Sequence, residues 1–176
     1  MDSPSALADT FRQWLAEHRG IIIRIARSFT NSPADLADLQ QEMQVQLWHS
    51  VARFSDKAKP STWIYRVCLN TALTWRRASR RREISLEPAL DVASLAAENA
   101  TPAEQSSDRD AIERLYAAIH QLPHGERSLV LLALEGLPYR EIAEITGLTE
   151  NHVGVALTRA RRRLATLMKG AIDELE

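Results

Sequence analysis

Two small all-helical domains joined by a flexible acidic linker are what the 176-residue sequence predicts. Three observations predict it. Apolar residues recur at three- and four-residue steps through both halves, and no run shows convincing period-two alternation. Pro33, Pro60, Pro123 and Pro138 stand at the edges of these runs, where proline starts or stops helices without breaking them. Between the halves, residues 83–110 carry Pro88 and Pro102, repeated Ala, Ser and Glu, no aromatic residue and little periodicity. The expected division is 5–82, a linker over 83–110, and 111–172. Fully extended, such a linker reaches roughly 90 Å at about 3.3 Å per residue.

The composition supports compact cores and excludes several classes. Hydrophobic residues make up 45% and charged residues 26%, enough for two small cores and none to spare for a large one. The single cysteine, Cys68, excludes an internal disulfide framework and any Cys-rich metal site, and favours a reducing compartment. Ile21-Ile22-Ile23 is broken at once by Arg24, so no segment is expected to span a bilayer. The acidic opening Met1-Asp2-Ser3-Pro4 offers no targeting signal to read.

The net charge of minus one hides an uneven distribution. Residues 1–82 hold thirteen Lys/Arg against seven Asp/Glu, 83–110 one against seven, and 111–176 eight against nine, giving plus six, minus six and minus one. The basic first segment suits a polyanionic partner that the total charge argues against.

In the first domain, Leu36, Leu39, Met43, Leu47 and Val51 form one apolar stripe, flanked by Asp35, Asp38, Gln41 and Glu42. Acidic residues there serve a helix N-terminus, and as a patch on a cationic domain they also invite a basic protein partner. Next, Arg53 to Pro60 is a loop bearing cations and small polar groups, suited to hold an unstacked base. Ser61–Arg82 then forms a two-faced helix: Ile64, Val67, Cys68, Thr71 and Trp75 point inward, while Arg66, Asn70, Leu73, Arg77 and Arg80 recur along the other side. That stripe fits a helix laid along nucleic-acid backbone, and fits equally the charged outer face of a core helix.

In the second domain, Ile112, Leu115, Tyr116, Ile119 and Leu122 mark one helix, and the strongest local signal follows over Tyr139–Leu164. Ala143, Gly147 and Val153 fall at the fifth, ninth and fifteenth places of a helix-turn-helix. The first allows close helix approach, the second turns the chain, and the third packs beneath the second helix. An ordinary helical hairpin is the competing reading. At about 100° per residue, Val153, Ala156, Leu157, Ala160, Leu164 and Leu167 share one face of the second helix, and Asn151, Val155, Thr158 and Arg162 the opposite one. Asn and Arg side chains can make bidentate contacts with base edges, and Arg159, Arg161 and Arg163 suit phosphates on the flanks.

No catalytic constellation appears. His18, His49, His120, His124 and His152 lack metal spacing, and no glycine loop cradles phosphate. Neither an enzyme nor a metal or other cofactor is expected.

In order along the chain, Asp35-Leu36-Ala37-Asp38-Leu39-Gln40-Gln41-Glu42, Ser61-Thr62-Trp63-Ile64-Tyr65-Arg66-Val67-Cys68-Leu69-Asn70, Leu122-Pro123 with Glu126-Arg127, and Gly136-Leu137-Pro138-Tyr139-Arg140-Glu141-Ile142-Ala143 resemble the bacterial extracytoplasmic-function (ECF) sigma factors of the sigma-70 family. The resemblance implies a cytoplasmic, non-catalytic subunit with a region 2-like domain over 5–82 and a region 4-like domain over 111–172. Its implied partners are core RNA polymerase, through the clamp helices of the largest subunit and the flap, together with promoter DNA and an anti-sigma protein, without membrane insertion. Asp35, Asp38, Gln41 and Glu42 become polymerase contacts. Arg53, Lys57, Lys59, Ser61, Thr62, Trp63, Arg66, Asn70, Arg76, Arg77 and Arg80 become minus-10 contacts. Asn151, His152, Val155, Thr158, Arg159 and Arg162 become minus-35 contacts. Two departures stand out: Ala37 replaces a frequent second acid, and Gly154 and Ala156 replace usual cations of the reader helix. A stand-alone helix-turn-helix regulator would leave the acidic block and basic stripe unused. The missing cations at Gly154 and Ala156 also fit a sigma-like interaction protein that binds polymerase or an anti-sigma protein without directing transcription.

Overall fold

A computed structural model describes residues 4–55, 58–85 and 106–173. Every regular element among them is helical: α1 (Pro4–Phe29), α2 (Pro33–Val51), α3 (Pro60–Ser85), α4 (Ser106–Gln121), α5 (His124–Leu134), α6 (Tyr139–Thr146) and α7 (Glu150–Asp173). Residues 86–105, the middle of the expected linker, lie outside the described residues. At its two ends α3 continues to Ser85 and α4 begins at Ser106.

The four prolines mark starts. Pro33 and Pro60 open α2 and α3, while Pro123 and Pro138 are the N-caps of α5 and α6, positions where the missing N–H costs no intrahelical bond. Ser32 caps α2 by accepting from the Asp35 backbone N–H at 3.1 Å, and its hydroxyl donates to the Asp35 carboxylate at 2.8 Å. At the C-terminus of α6, Gly147 takes φ 74°, and its N–H reaches the Ala143 carbonyl at 2.8 Å. Only glycine adopts that left-handed geometry without penalty. Thr149 then starts α7, its side-chain oxygen accepting from the His152 N–H.

The first core is built by Trp14, Ile22, Ile25 and Phe29 of α1, Leu39, Met43, Leu47 and Val51 of α2, and Ile64, Cys68 and Ala72 of α3. Each large aliphatic side chain buried this fully contributes about 1.5–3 kcal/mol. A chain of edge-on rings, Trp14 to Phe54 at 5.1 Å and Phe54 to Trp63 at 5.9 Å, ties the α2–α3 loop to α1 and α3. The second core joins Ile119 and Leu122 of α4, Leu129 and Leu132 of α5, Ile142 and Ile145 of α6, and Val153, Leu157 and Ala160 of α7.

The two cores meet. α3 packs on α6, and α1 on α4. Arg127 of α5, 2% exposed, donates to the Ser28 carbonyl at the end of α1 (3.0 Å) and to the Leu122 carbonyl (3.2 Å), while its guanidinium lies 5.2 Å from the centre of the Phe29 ring. The carbonyls it serves have no intrahelical partner, as at any helix end. Burial, then the neighbouring Arg76 charge, lowers its pKa to about 10, so it remains a cation at neutral pH.

Candidate nucleic-acid interface

Three surfaces come from three helices. On α2, burial of Leu39, Met43 and Leu47 turns Asp35, Asp38 and Gln41 to solvent, with Glu42 half-buried and accepting from the Gln46 amide at 2.9 Å. Asp35 is also held by its cap partner Ser32. The same face continues with Val45, 40% exposed, and Trp48, 43% exposed, whose ring meets Phe11 edge-on at 5.4 Å. Sequence reasoning missed these two. Successive steps of three, four and three residues through Asp38, Gln41, Val45 and Trp48 were the available signal.

On α3, Arg66, Asn70 and Arg77 are exposed and Arg76 is half-buried. Arg53 and Lys59 are exposed on the preceding loop. Ser61 is half-buried, Thr62 is buried, and Trp63 is half-buried with its indole N–H donating to Ser50 Oγ at 3.0 Å. In this arrangement Thr62 and Trp63 pack inward; they do not stand on the stripe. Lys57 and the Arg80 side chain lie outside the described residues. The cations also have unexpected protein partners: Lys59 pairs with Glu141, and Arg66 donates to the Glu144 carbonyl. Cys68 is fully buried in the first core, and burial pushes its thiol up to about 12, which suits packing and not chemistry.

On α7, Val153, Leu157 and Ala160 are fully buried, which leaves Asn151, His152, Val155, Thr158, Arg159 and Arg162 together on the open side. Arg163 is committed to Glu126 at 3.0 Å, while Arg159, Arg161 and Arg162 are exposed. Tyr139 of α6 and Asn151, Gly154, Val155 and Thr158 line an open concavity of about 470 Å³ on this side. The absence of a side chain at Gly154 lets the Tyr139 ring lie close, 3.4 Å from where a β-carbon would be. Tyr139 too went unassigned in the sequence. Among the described residues, no group of His, Cys, Asp and Glu can hold a metal ion, and no helix is long and apolar enough to cross a membrane.

A two-domain helical protein with a helix-turn-helix and a separate cationic helix is the class these surfaces define. The Sigma-70 region 2 family matches residues 14–82 and the Sigma-70 region 4 family matches residues 112–164. The chain is 30% identical to the ECF RNA polymerase sigma-E factor of Haemophilus influenzae over 137 residues, covering 74% of this chain and 72% of that protein. It is 32% identical to the probable RNA polymerase sigma factor RfaY of Xanthomonas campestris over 146 residues, covering 80% of this chain but only 36% of that longer protein. Its fold is similar to sigma factor RpoE of Bartonella quintana, solved in complex with the anti-sigma factor NepR, with a TM-score of 0.71 at 21% identity, covering 91% of this chain and 97% of that one. The chain belongs to the ECF sigma factors of the sigma-70 family.

Proposed function

We propose that this chain is a dissociable, non-catalytic subunit that joins core RNA polymerase in the cytoplasm and gives it promoter recognition and strand opening. One observation carries the reading: a helix-turn-helix with its predicted reader residues exposed shares a chain with a second domain that presents a cationic helix and a separate acidic, partly apolar helix face. A DNA-binding regulator has use for the first; only a polymerase subunit has use for all three.

In this reading Asp38, Gln41 and Glu42 meet a basic surface of the polymerase largest subunit, with Val45 and Trp48 as the apolar centre that such interfaces need. Lys59, Arg66, Asn70, Arg76 and Arg77 follow the minus-10 strand, phosphate by phosphate. Asn151, Thr158 and Arg162 face base edges of the minus-35 element, flanked by Arg159, and Tyr139 fills the gap left at Gly154. The sigma–anti-sigma complex of the RpoE relative supports an anti-sigma protein as a further partner.

The test is reconstitution. The chain should co-elute with core polymerase and start run-off transcripts that core alone does not. Binding without transcripts would leave a sigma-like interaction protein, and promoter binding without polymerase attachment would leave a stand-alone regulator.

A further inference from the structure

We propose that Val155 and the Tyr139 ring are the specificity-determining pair of the helix-turn-helix: they read thymine methyl groups, so that the centre of the minus-35 element is built of A·T pairs. The inference deepens, and rests on, the reading of α7 as the minus-35 reader.

The first half of a reader helix is the part that meets base edges, and here that half carries apolar groups in place of cations. Val155 is 45% exposed and Tyr139 39% exposed. Single exposed apolar residues are ordinary, but these two border one hollow, shared with Glu150, Asn151, Gly154 and Thr158. Gly154 is what admits the ring: Tyr139 Cε2 and Cδ2 lie 3.4 and 3.8 Å from where its β-carbon would be, so a longer side chain there would displace them. Thr158 commits its hydroxyl proton to the Gly154 carbonyl at 2.9 Å, which leaves a methyl group and an acceptor oxygen, and no donor, for a base. Among the residues lining the hollow the one charged group is the Glu150 carboxylate. The exposed cations Arg159, Arg161 and Arg162 come later in α7.

Each base makes its own demand on such a surface. Guanine offers two acceptors, N7 and O6, and is best read by a cation that donates twice. The hollow has none, and the Glu150 carboxylate repels those acceptors. Adenine offers an acceptor beside a donor, which the Asn151 amide matches bidentately. Its partner thymine projects a methyl group, for which Val155 and the Tyr139 ring supply apolar surface. Asn151 and Val155 stand one turn apart, about 6 Å along the helix axis, within about two base-pair steps of roughly 3.4 Å each. An adenine contact and a methyl contact therefore fall on the same A·T pair or on close neighbours. The later arginines add charge from beyond that centre.

The experiment uses holoenzyme reconstituted with the full chain and a mapped promoter duplex. Each thymine of the minus-35 element, on either strand, is replaced singly by deoxyuridine, which lacks only the methyl group. Uracil at a central position should weaken wild-type binding about three- to fivefold, the effect of one buried methyl group. Val155→Ala and Tyr139→Ala should bind the thymine duplex more weakly and discriminate against uracil by less than about twofold, because the partner of the methyl group is gone. Tyr139→Phe, which keeps the ring, should keep the discrimination. Equal binding of thymine and uracil duplexes at every position overturns the proposal, as does a minus-35 centre made only of G·C pairs. Discrimination that survives in both Val155→Ala and Tyr139→Ala places the methyl contact on other residues and overturns the pair. A loss in Tyr139→Phe equal to that in Tyr139→Ala overturns the part given to the ring. Failure of the underlying reading shows separately, as a chain that starts no run-off transcripts and prefers no duplex over random sequence, and it overturns the proposal with it.

Discussion

Tyr65 of α3 donates its hydroxyl to Oε2 of Glu135, 2.8 Å away and 70 residues on in the chain, and Arg24 of α1 binds the same carboxylate. Burial first, then the hydrogen bond to Glu135, raises the Tyr65 pKa above its ordinary 10. A folded-state pKa above the unfolded value means stability that is whole below about pH 10 and falls as pH rises beyond it. Tyr65→Phe should cost about 1.5–3 kcal/mol at neutral pH, as expected for a hydrogen bond to a charged group, and should make the alkaline decline less steep. Cys68, raised to about 12 by burial, declines with the same sign in both proteins. Urea denaturation of both between pH 8 and 11 therefore isolates the tyrosine, and parallel curves would contradict the assignment.

That contact also marks how far the sequence could be read. Helix period, proline edges and the Ala143/Gly147/Val153 spacing specify elements locally, so the helical fold and the open face of α7 were legible. The pairing of Glu135 with Arg24 and Tyr65 was not, because it joins residues 111 and 70 positions apart and no periodicity encodes such a meeting. For the same reason helical phase alone leaves Tyr65 and Leu69 off the inward face of α3. They are buried from a second side, one that turns towards the other domain, and a one-sided helical wheel assigns that side to solvent. Trp63, given a DNA-facing role only by the family resemblance, is held by the Ser50 hydroxyl and the Phe54 ring, and Thr62 beside it is buried.

Trp48 is the strongest test of the polymerase surface. Its ring is 43% exposed and belongs to no core, so Trp48→Ala should change folding stability little while lowering core polymerase affinity about tenfold or more, the effect of losing an aromatic anchor. D38K/E42K should act in the same direction by adding repulsion. Competitive co-purification against wild type checks both; equal recovery of Trp48→Ala would move the docking surface elsewhere.

Arg162 distinguishes base reading from phosphate holding. If it contacts a base edge, Arg162→Ala should lose about 1–3 kcal/mol of discrimination at one position of the minus-35 element. If it holds phosphate, affinity should fall about equally on every sequence and the salt slope should flatten by about one. Holoenzyme binding to a single-substitution promoter series separates the two.

Gly154 sits inside α7 with ordinary helical φ, and a β-carbon added there would meet only the Tyr139 ring, at 3.4 Å. Gly154→Ala should stabilise the chain by about 0.5–1 kcal/mol through the glycine's lost backbone freedom. It should also tilt the Tyr139 ring, so that any gain in melting temperature comes with altered minus-35 preference. A gain in stability with unchanged preference would remove Tyr139 from the reader surface.

The central claim is that one chain directs polymerase to two DNA elements at once. Sequencing transcript 5′ ends from genomic DNA, with core polymerase alone and with core plus this chain, tests it most directly. New starts should appear that share a minus-35 and a minus-10 sequence at near-constant spacing, and R66A/R77A should weaken all of them together. An unchanged set of starts, or new starts with a minus-35 sequence and no shared minus-10, would contradict the account.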